Sequence, residues 1–246
     1  MHTQYYKIWS DCLQRDMEFK VYGHGGKPCL VLPSQNGKYF DFENFGMVEP
    51  FASRIEAGEI QLFCIDSLDG ETWDSTHWDM GWRMHQHEQW IHYITDEFYG
   101  IMQSINGTGY RAMATGCSMG AFHAVNVFLR RPDLFDYVVA LSGVYDTSYL
   151  IGDYMDANVY NNSPYHYMQN MPEDHFYMDL YRQSKVIICV GQGNWEDECL
   201  ASTRALEGVL KAKGIPVWFD YWGHDCYHDW PWWKKQMPYF LDKIFG

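Results

Sequence analysis

The sequence predicts an α/β fold: a mostly parallel central sheet with antiparallel strands at its N-terminal end and helices on both faces. Three observations carry this prediction. Beyond residue 110, short β-favouring runs alternate with helical stretches, the pattern left by parallel strands joined through crossover helices. Before residue 33, three β-favouring runs follow one another with only turn residues between them, as antiparallel strands do. Apolar residues make up 47% of the 246-residue chain, enough for one large core and too many for a disordered chain; the length favours a single domain.

In chain order, Tyr5–Ser10, Met17–Tyr22 and Cys29–Leu32 read as strands, with the turn-rich Gly23-His24-Gly25-Gly26-Lys27-Pro28 joining the last two as a hairpin. Ile60–Ile65 is a continuous apolar run, the mark of a buried strand. From about Gln86 to Ile105, the residues Trp90, Ile91, Ile94, Phe98, Ile101 and Ile105 recur at helical spacing. The alternation then begins with strand Tyr110–Thr115, helix Ala121–Arg130 stopped by Pro132, and strand Tyr137–Leu141. It resumes with strand Lys185–Val190, helix Ser202–Lys213 ended by Gly214, strand Val217–Tyr221 and a C-terminal helix from about Trp232 to Ile244. Residues 145–178, rich in Asp, Asn, Tyr, Met and Pro, fit neither period and read as a cap-like excursion between two strands. No internal repeat or interdomain linker is evident.

Composition narrows the function. A formal net charge of −14, with Lys and Arg clustering no further than pairs such as Arg130-Arg131 and Lys234-Lys235, argues against nucleic acid as a partner. No apolar run approaches the ~18 to 20 residues of a membrane span, and Met1–Asp16 has no signal-peptide apolar core, so a soluble, cytoplasmic protein is expected. The seven cysteines form an odd set without a Cys-x-x-Cys pair, and Cys29, Cys64 and Cys189 sit in strand-like runs where a reduced thiol acts as a small hydrophobe. Aromatic residues reach 18% of the chain, more than a core needs, and an aromatic-walled cleft is expected.

Gly116-Cys117-Ser118-Met119-Gly120 matches the G-x-S-x-G nucleophile elbow, in which a serine sits on a tight strand-to-helix turn. The pentapeptide alone is a weak signal, but it directly follows a strand-like run and directly precedes an amphipathic helix, the setting the chemistry requires. The helix N-terminus would lend partial positive charge to an oxyanion formed beside Ser118. This is the elbow of the α/β-hydrolase fold, whose triad runs Ser, acid, His along the chain. A serine hydroxyl needs a histidine to take its proton. His224 and His228 both lie after the last predicted strand, and spacing does not choose between them. The acid belongs after strand Lys185–Val190, where Glu196, Asp197 and Glu198 are all available. The residue after the nucleophile, Met119, supplies one oxyanion-hole N–H.

His228-Asp229-Trp230-Pro231-Trp232-Trp233 resembles the His-x-Trp-Pro-aromatic-Trp segment of the putative-esterase family, which includes S-formylglutathione hydrolases and the mycobacterial mycolyl-transferase antigens. Asp197-Glu198-Cys199-Leu200 resembles the Asp-x-Phe-Leu segment of the S-formylglutathione hydrolases. The resemblance implies His228 as base, Asp197 as acid with Glu196 as its rival, and the N–H of Gln35, in the loop Pro33–Gly37 after the third strand, as the second oxyanion donor. It implies a serine esterase acting on small-molecule carboxylic esters through an acyl-enzyme on Ser118, needing no cofactor and no metal. An acyltransferase using the same triad and a non-catalytic ligand-binding protein of the same fold are the alternatives.

Two other signals are weaker. His87-Glu88-Gln89-Trp90-Ile91-His92 misses the zinc-protease pattern by one residue, which turns the two histidines to different faces; His85, Glu88 and His92 share a face that reads as polar helix surface. Trp73, Trp78 and Trp82 follow a strand end, where loops of parallel sheets reach the site edge, and either line the pocket or simply pack.

Overall fold

The computed structural model describes residues 1–246. Its elements are β1 (Thr3–Ser10), β2 (Arg15–Tyr22), β3 (Lys27–Leu32), α1 (Asp41–Asn44), α2 (Ala52–Glu56), β4 (Ile60–Ile65), α3 (Met80–His92), α4 (Tyr99–Asn106), β5 (Ala112–Cys117), α5 (Met119–Arg130) and β6 (Phe135–Leu141). Four short helices follow, α6 (Ser148–Ile151), α7 (Ala157–Asn161), α8 (Pro164–Asn170) and α9 (Met178–Arg182), then β7 (Lys185–Val190), α10 (Asp197–Ala212), β8 (Val217–Tyr221) and α11 (Trp230–Phe245). The eight strands form one sheet in the order β1-β2-β4-β3-β5-β6-β7-β8. β1/β2 and β2/β4 are antiparallel and every other pair is parallel. This is the expected α/β-hydrolase architecture.

Except at the edge strand β8, the parallel strands are buried on both faces, and their side chains alternate between two cores. Leu30, Leu32, Ala112, Ala114, Val138, Ala140, Val186 and Ile188 face the core under α3, α4, α5 and α10. Cys29, Val31, Met113, Cys117, Val139, Leu141, Ile187 and Cys189 face the core under α1, α2 and α11. All seven cysteines are free.

The structure corrects one expectation about the sheet. Gly23–Pro28 reverses the chain as its turn chemistry requires, but β2 and β3 do not pair, because β4 lies between them. The six residues of β4 are all buried, and a strand with no exposed face needs a partner along both edges. The hairpin of this region is instead β1/β2, closed at Asp11–Gln14.

The helix expected over 86–105 is longer and runs from Met80 to Asn106 through a π-helical stretch at Tyr93–Phe98. The wider π turn shifts the face that follows, so Met102 is fully buried while Ile101 and Ile105 are only half-buried. Glu97 in this stretch accepts hydrogen bonds from Ser10 Oγ at 2.6 Å and the Cys12 N–H at 2.7 Å, tying the helix to the β1/β2 hairpin.

The excursion at 145–178 carries α6 to α8 and is pinned by polar contacts. Asn162 Oδ1 accepts from Asn126 Nδ2 and from Arg130, each at 2.8 Å, and its Nδ2 donates to Glu88 at 2.7 Å. Glu88 also receives Arg130 through two bonds of 2.8 and 2.6 Å. Of the His85, Glu88 and His92 face, Glu88 is thus committed to Arg130 and Asn162, with His92 Nε2 3.6 Å away, and His85 is exposed. No helix is long and apolar enough to cross a membrane.

Candidate active site

Register puts the site at one edge of the sheet. Cys117 pairs with Leu141, Leu141 with Cys189 and Val190 with Tyr221, so the loops leaving β5, β6, β7 and β8 all start from the same rim. That rim receives Ser118, Ser142, Glu196 and His228.

Ser118 sits at the turn between β5 and α5 with φ +58° and ψ −123°, a conformation that side chains rarely adopt and that the surrounding fold must enforce. The flanking glycines permit it. A Cβ on Gly120 would lie 2.2 Å from the Leu32 carbonyl oxygen, and one on Gly116 would lie 2.4 Å from the carbonyl carbon of Gly120. The Ser118 N–H donates to the Leu141 carbonyl at 2.8 Å, fixing the turn to the next strand.

His228 follows β8 and opens α11. Asp229 is the N-cap, accepting from the Trp230 N–H, and Pro231 occupies the first turn, where its missing N–H has no consequence. Trp233, one turn on, meets the His228 ring edge-on at 5.0 Å. The aromatic segment read in the sequence thus caps the helix and braces the imidazole. His228 Nε2 lies 2.8 Å from Ser118 Oγ, and its Nδ1 lies 3.3 Å from Glu196 Oε2. A carboxylate beside Nδ1 favours the tautomer that carries its proton there, which would leave Nε2 to accept from the serine hydroxyl. His224 is exposed and bonded through Nδ1 to the Gln192 carbonyl at 3.1 Å, away from Ser118.

The carboxylate beside His228 is not the one expected. Asp197 is the exposed first residue of α10, while Glu196, 1% exposed, turns inward at the helix start. The swap follows from the turn before the helix: Trp195 has φ +64° and is exposed, which sends the next side chain to the interior. Glu196 Oε1 accepts from Ser142 Oγ at 2.6 Å, and Ser142 Oγ accepts from Trp233 Nε1 at 3.0 Å. These bonds satisfy a buried carboxylate that would otherwise be costly.

The N–H groups of Gln35 and Met119 make no backbone hydrogen bond, and both residues line the cavity that contains Ser118 and His228. The Gln35 loop is held from two sides. Ser34 Oγ donates to the Cys117 carbonyl at 3.0 Å. Asp69 accepts the Asn36 N–H at 3.3 Å while its other oxygen lies 2.9 Å from Nε2 of the fully buried His123 on α5. The cavity, about 340 Å³, is walled by Trp73, Phe122, Val144, Tyr149, Leu150 and Trp195. Trp73 is the one member of the tryptophan series to reach it; Trp78 and Trp82 are exposed outside. Asp74 and Glu198 are at its wall, and neither Lys nor Arg is.

Ser142, Trp233 and Cys199 escaped the sequence reading as site residues. Ser142, at the C-terminal end of a parallel strand, carried the positional signal; the other two are revealed only by packing. The Cys199 thiol donates to the Ser142 carbonyl at 3.3 Å and lies 3.8 Å from His228 Nδ1. Burial, reinforced by Glu196, pushes this thiol well above its usual range, so it is no competing nucleophile.

Solved structures share this architecture. A ferulic acid esterase superposes with a TM-score of 0.78 at 17% identity, covering 99% of this chain and 97% of that one. An S-formylglutathione hydrolase from Staphylococcus aureus gives 0.71 at 15% identity over 100% and 97%, and MPT51 of Mycobacterium tuberculosis gives 0.71 at 13% over 99% and 98%. At such identities the likeness is one of fold. No curated protein matches the chain. The sequence itself matches the family described as "Putative esterase" over residues 10–244, and with the elbow, the sheet order and that match together, the chain belongs to the putative-esterase family of α/β-hydrolases.

Proposed function

We propose that the protein is a serine esterase that hydrolyses small carboxylic esters through an acyl-enzyme on Ser118, with His228 as base and Glu196, in place of Asp197, as the acid that orients it. The observation that carries this is the continuous row Ser118 Oγ, His228 Nε2, His228 Nδ1 and Glu196 Oε2, with separations of 2.8 and 3.3 Å across the imidazole. His228 takes the hydroxyl proton as Ser118 attacks the ester carbonyl, then returns it to the departing alcohol; water attacks the acyl-enzyme by the same relay. Glu196 stabilises the imidazolium formed in each half. The N–H groups of Gln35 and Met119 face the developing oxyanion, with the α5 N-terminus behind them.

Cavity size and charge bound the substrate. A volume of about 340 Å³ is at the small end of ligand pockets and suits a short or single-ring acyl group against the aromatic wall. Asp74 and Glu198 without a facing cation disfavour an acyl group bearing a carboxylate. Ser118→Ala is expected to lower p-nitrophenyl acetate turnover about 10⁶-fold with circular dichroism unchanged, and a fluorophosphonate is expected to label Ser118 alone. Undiminished turnover in Ser118→Ala would refute the assignment.

A further inference from the structure

We propose that Glu196, Cys199 and His228 form a binding site for a thiophilic divalent cation such as Zn²⁺, and that an ion held there switches the esterase off. The switch rests on His228 being the base; the ion site does not. The three donors come from different places. Glu196 and Cys199 are one helical turn apart at the start of α10, and His228 arrives from the loop after β8.

The spacing fits the ion. A tetrahedral zinc with bonds of roughly 2.0 to 2.3 Å holds its ligands roughly 3.3 to 3.6 Å apart. His228 Nδ1 lies 3.3 Å from Glu196 Oε2, inside that range, and 3.8 Å from Cys199 Sγ, slightly beyond it, and all three donor atoms fall within 4.8 Å of one another, so small side-chain shifts bring the set onto the ion. Thiolate, imidazole and carboxylate are the donor types zinc accepts. Glu196 and Cys199 are buried, and the Ser142 hydroxyl already holds the carboxylate oxygen that faces away from His228, as outer partners of metal ligands do. Cys199 and His228 both line the cavity, which gives the ion an entry path and a water as fourth ligand. Nothing in the hydrolytic relay uses Cys199.

Binding rearranges protons in a defined way. The Cys199 thiol proton leaves to solvent as Sγ binds the ion. The Nδ1 proton of His228 is replaced by the ion, and Nε2 takes up a proton in its stead, so the ring stays neutral and one proton is released per ion. Nε2 then has no lone pair for the Ser118 proton, and Glu196 is drawn from the imidazole to the metal. Nucleophile activation is lost while the fold is untouched.

The test is titration of p-nitrophenyl acetate hydrolysis with Zn²⁺, each enzyme normalised to its own metal-free rate. The companion readout is the near-ultraviolet sulfur-to-cobalt charge-transfer band with Co²⁺. The wild-type enzyme is expected to show single-site inhibition reversed by EDTA. Cys199→Ser, which keeps a hydroxyl for the Ser142 carbonyl, is expected to weaken inhibition by at least the ~100-fold that loss of an outer-shell partner can cost; Cys199→Ala serves as a second variant should the serine not fold. The cobalt band is expected in the wild-type protein and in Ser118→Ala, and absent without Cys199. Equal zinc sensitivity with and without Cys199, or no cobalt band in folded wild-type protein, would overturn the site. Undiminished turnover in Ser118→Ala would overturn the esterase reading instead, leaving the cobalt result to judge the ion site.

Discussion

Glu196 and Asp197 are adjacent in the chain and opposite in environment, one buried against His228 and Ser142, the other exposed on the first turn of α10. The proposed roles follow from that difference and separate cleanly in kinetics. Glu196→Gln is expected to lower kcat by about 10⁴-fold, the loss typical when a triad acid can no longer fix the imidazole tautomer. Asp197→Asn, a surface change, is expected to stay within about twofold. The opposite order of effects would return the acid to Asp197. At this scale the proposed nucleophile and base were legible as candidates because each lies in a local motif: glycines at fixed offsets around Ser118, and an aromatic, proline-containing helix start after His228. The proposed acid was not, because Glu196 turns inward only after the positive φ of +64° at Trp195, and nothing in a run of three carboxylates announces which one faces inward.

The strand-turn-helix of β5, Ser118 and α5 works as a unit, since the elbow is held by backbone contact rather than by side chains. Gly120 lies so close to the carbonyls of Leu32 and Pro33, with Cβ distances of 2.2 and 2.8 Å, that β3 and α5 cannot both keep their places around a methyl group. Gly120→Ala is therefore expected to destabilise the protein by about 1 to 3 kcal/mol, the usual cost of overpacking, seen as a lower urea midpoint, and to depress kcat because α5 carries both Ser118 and Met119. A variant with wild-type midpoint and wild-type kcat would show that the close approach is not needed. Other elements were less transparent. The polar residues of 145–178 obscured α6 to α8 because their hydrogen bonds go to Asn126, Arg130 and Glu88, remote in sequence. The π-helical stretch broke the 3.6-residue period that the apolar spacing had implied.

Across the whole molecule, the burial of polar groups sets a pH dependence. His87 is 1% exposed, and burial, with His123 and Arg130 nearby, pushes its pKa well below the usual histidine range. The folded protein therefore keeps it neutral at a pH where the unfolded chain protonates it near 6.5. Stability from this group is complete above that pH and is lost as pH falls below it, by up to about 1.4 kcal/mol per unit while only the unfolded state binds the proton. His87→Phe is expected to flatten the stability profile below pH 6.5 in urea titrations, whatever its offset at neutral pH; an unaltered slope would mean the ring is not held neutral. The same distinction between local and distant causes divides what was readable in the chain. Alternating strand and helix periods, the elbow and the aromatic helix start are encoded within a few residues, so the sequence alone determined the α/β class, Ser118 and the His228 segment. The insertion of β4 between β2 and β3, the choice of Glu196, the Ser142 and Trp233 support behind it and the approach of Cys199 to His228 depend on segments up to 91 residues apart being brought together. Only the tertiary structure decided these, because a burial or pairing requirement can be met by many distant partners and the chain fixes which one solely by closing its whole core at once.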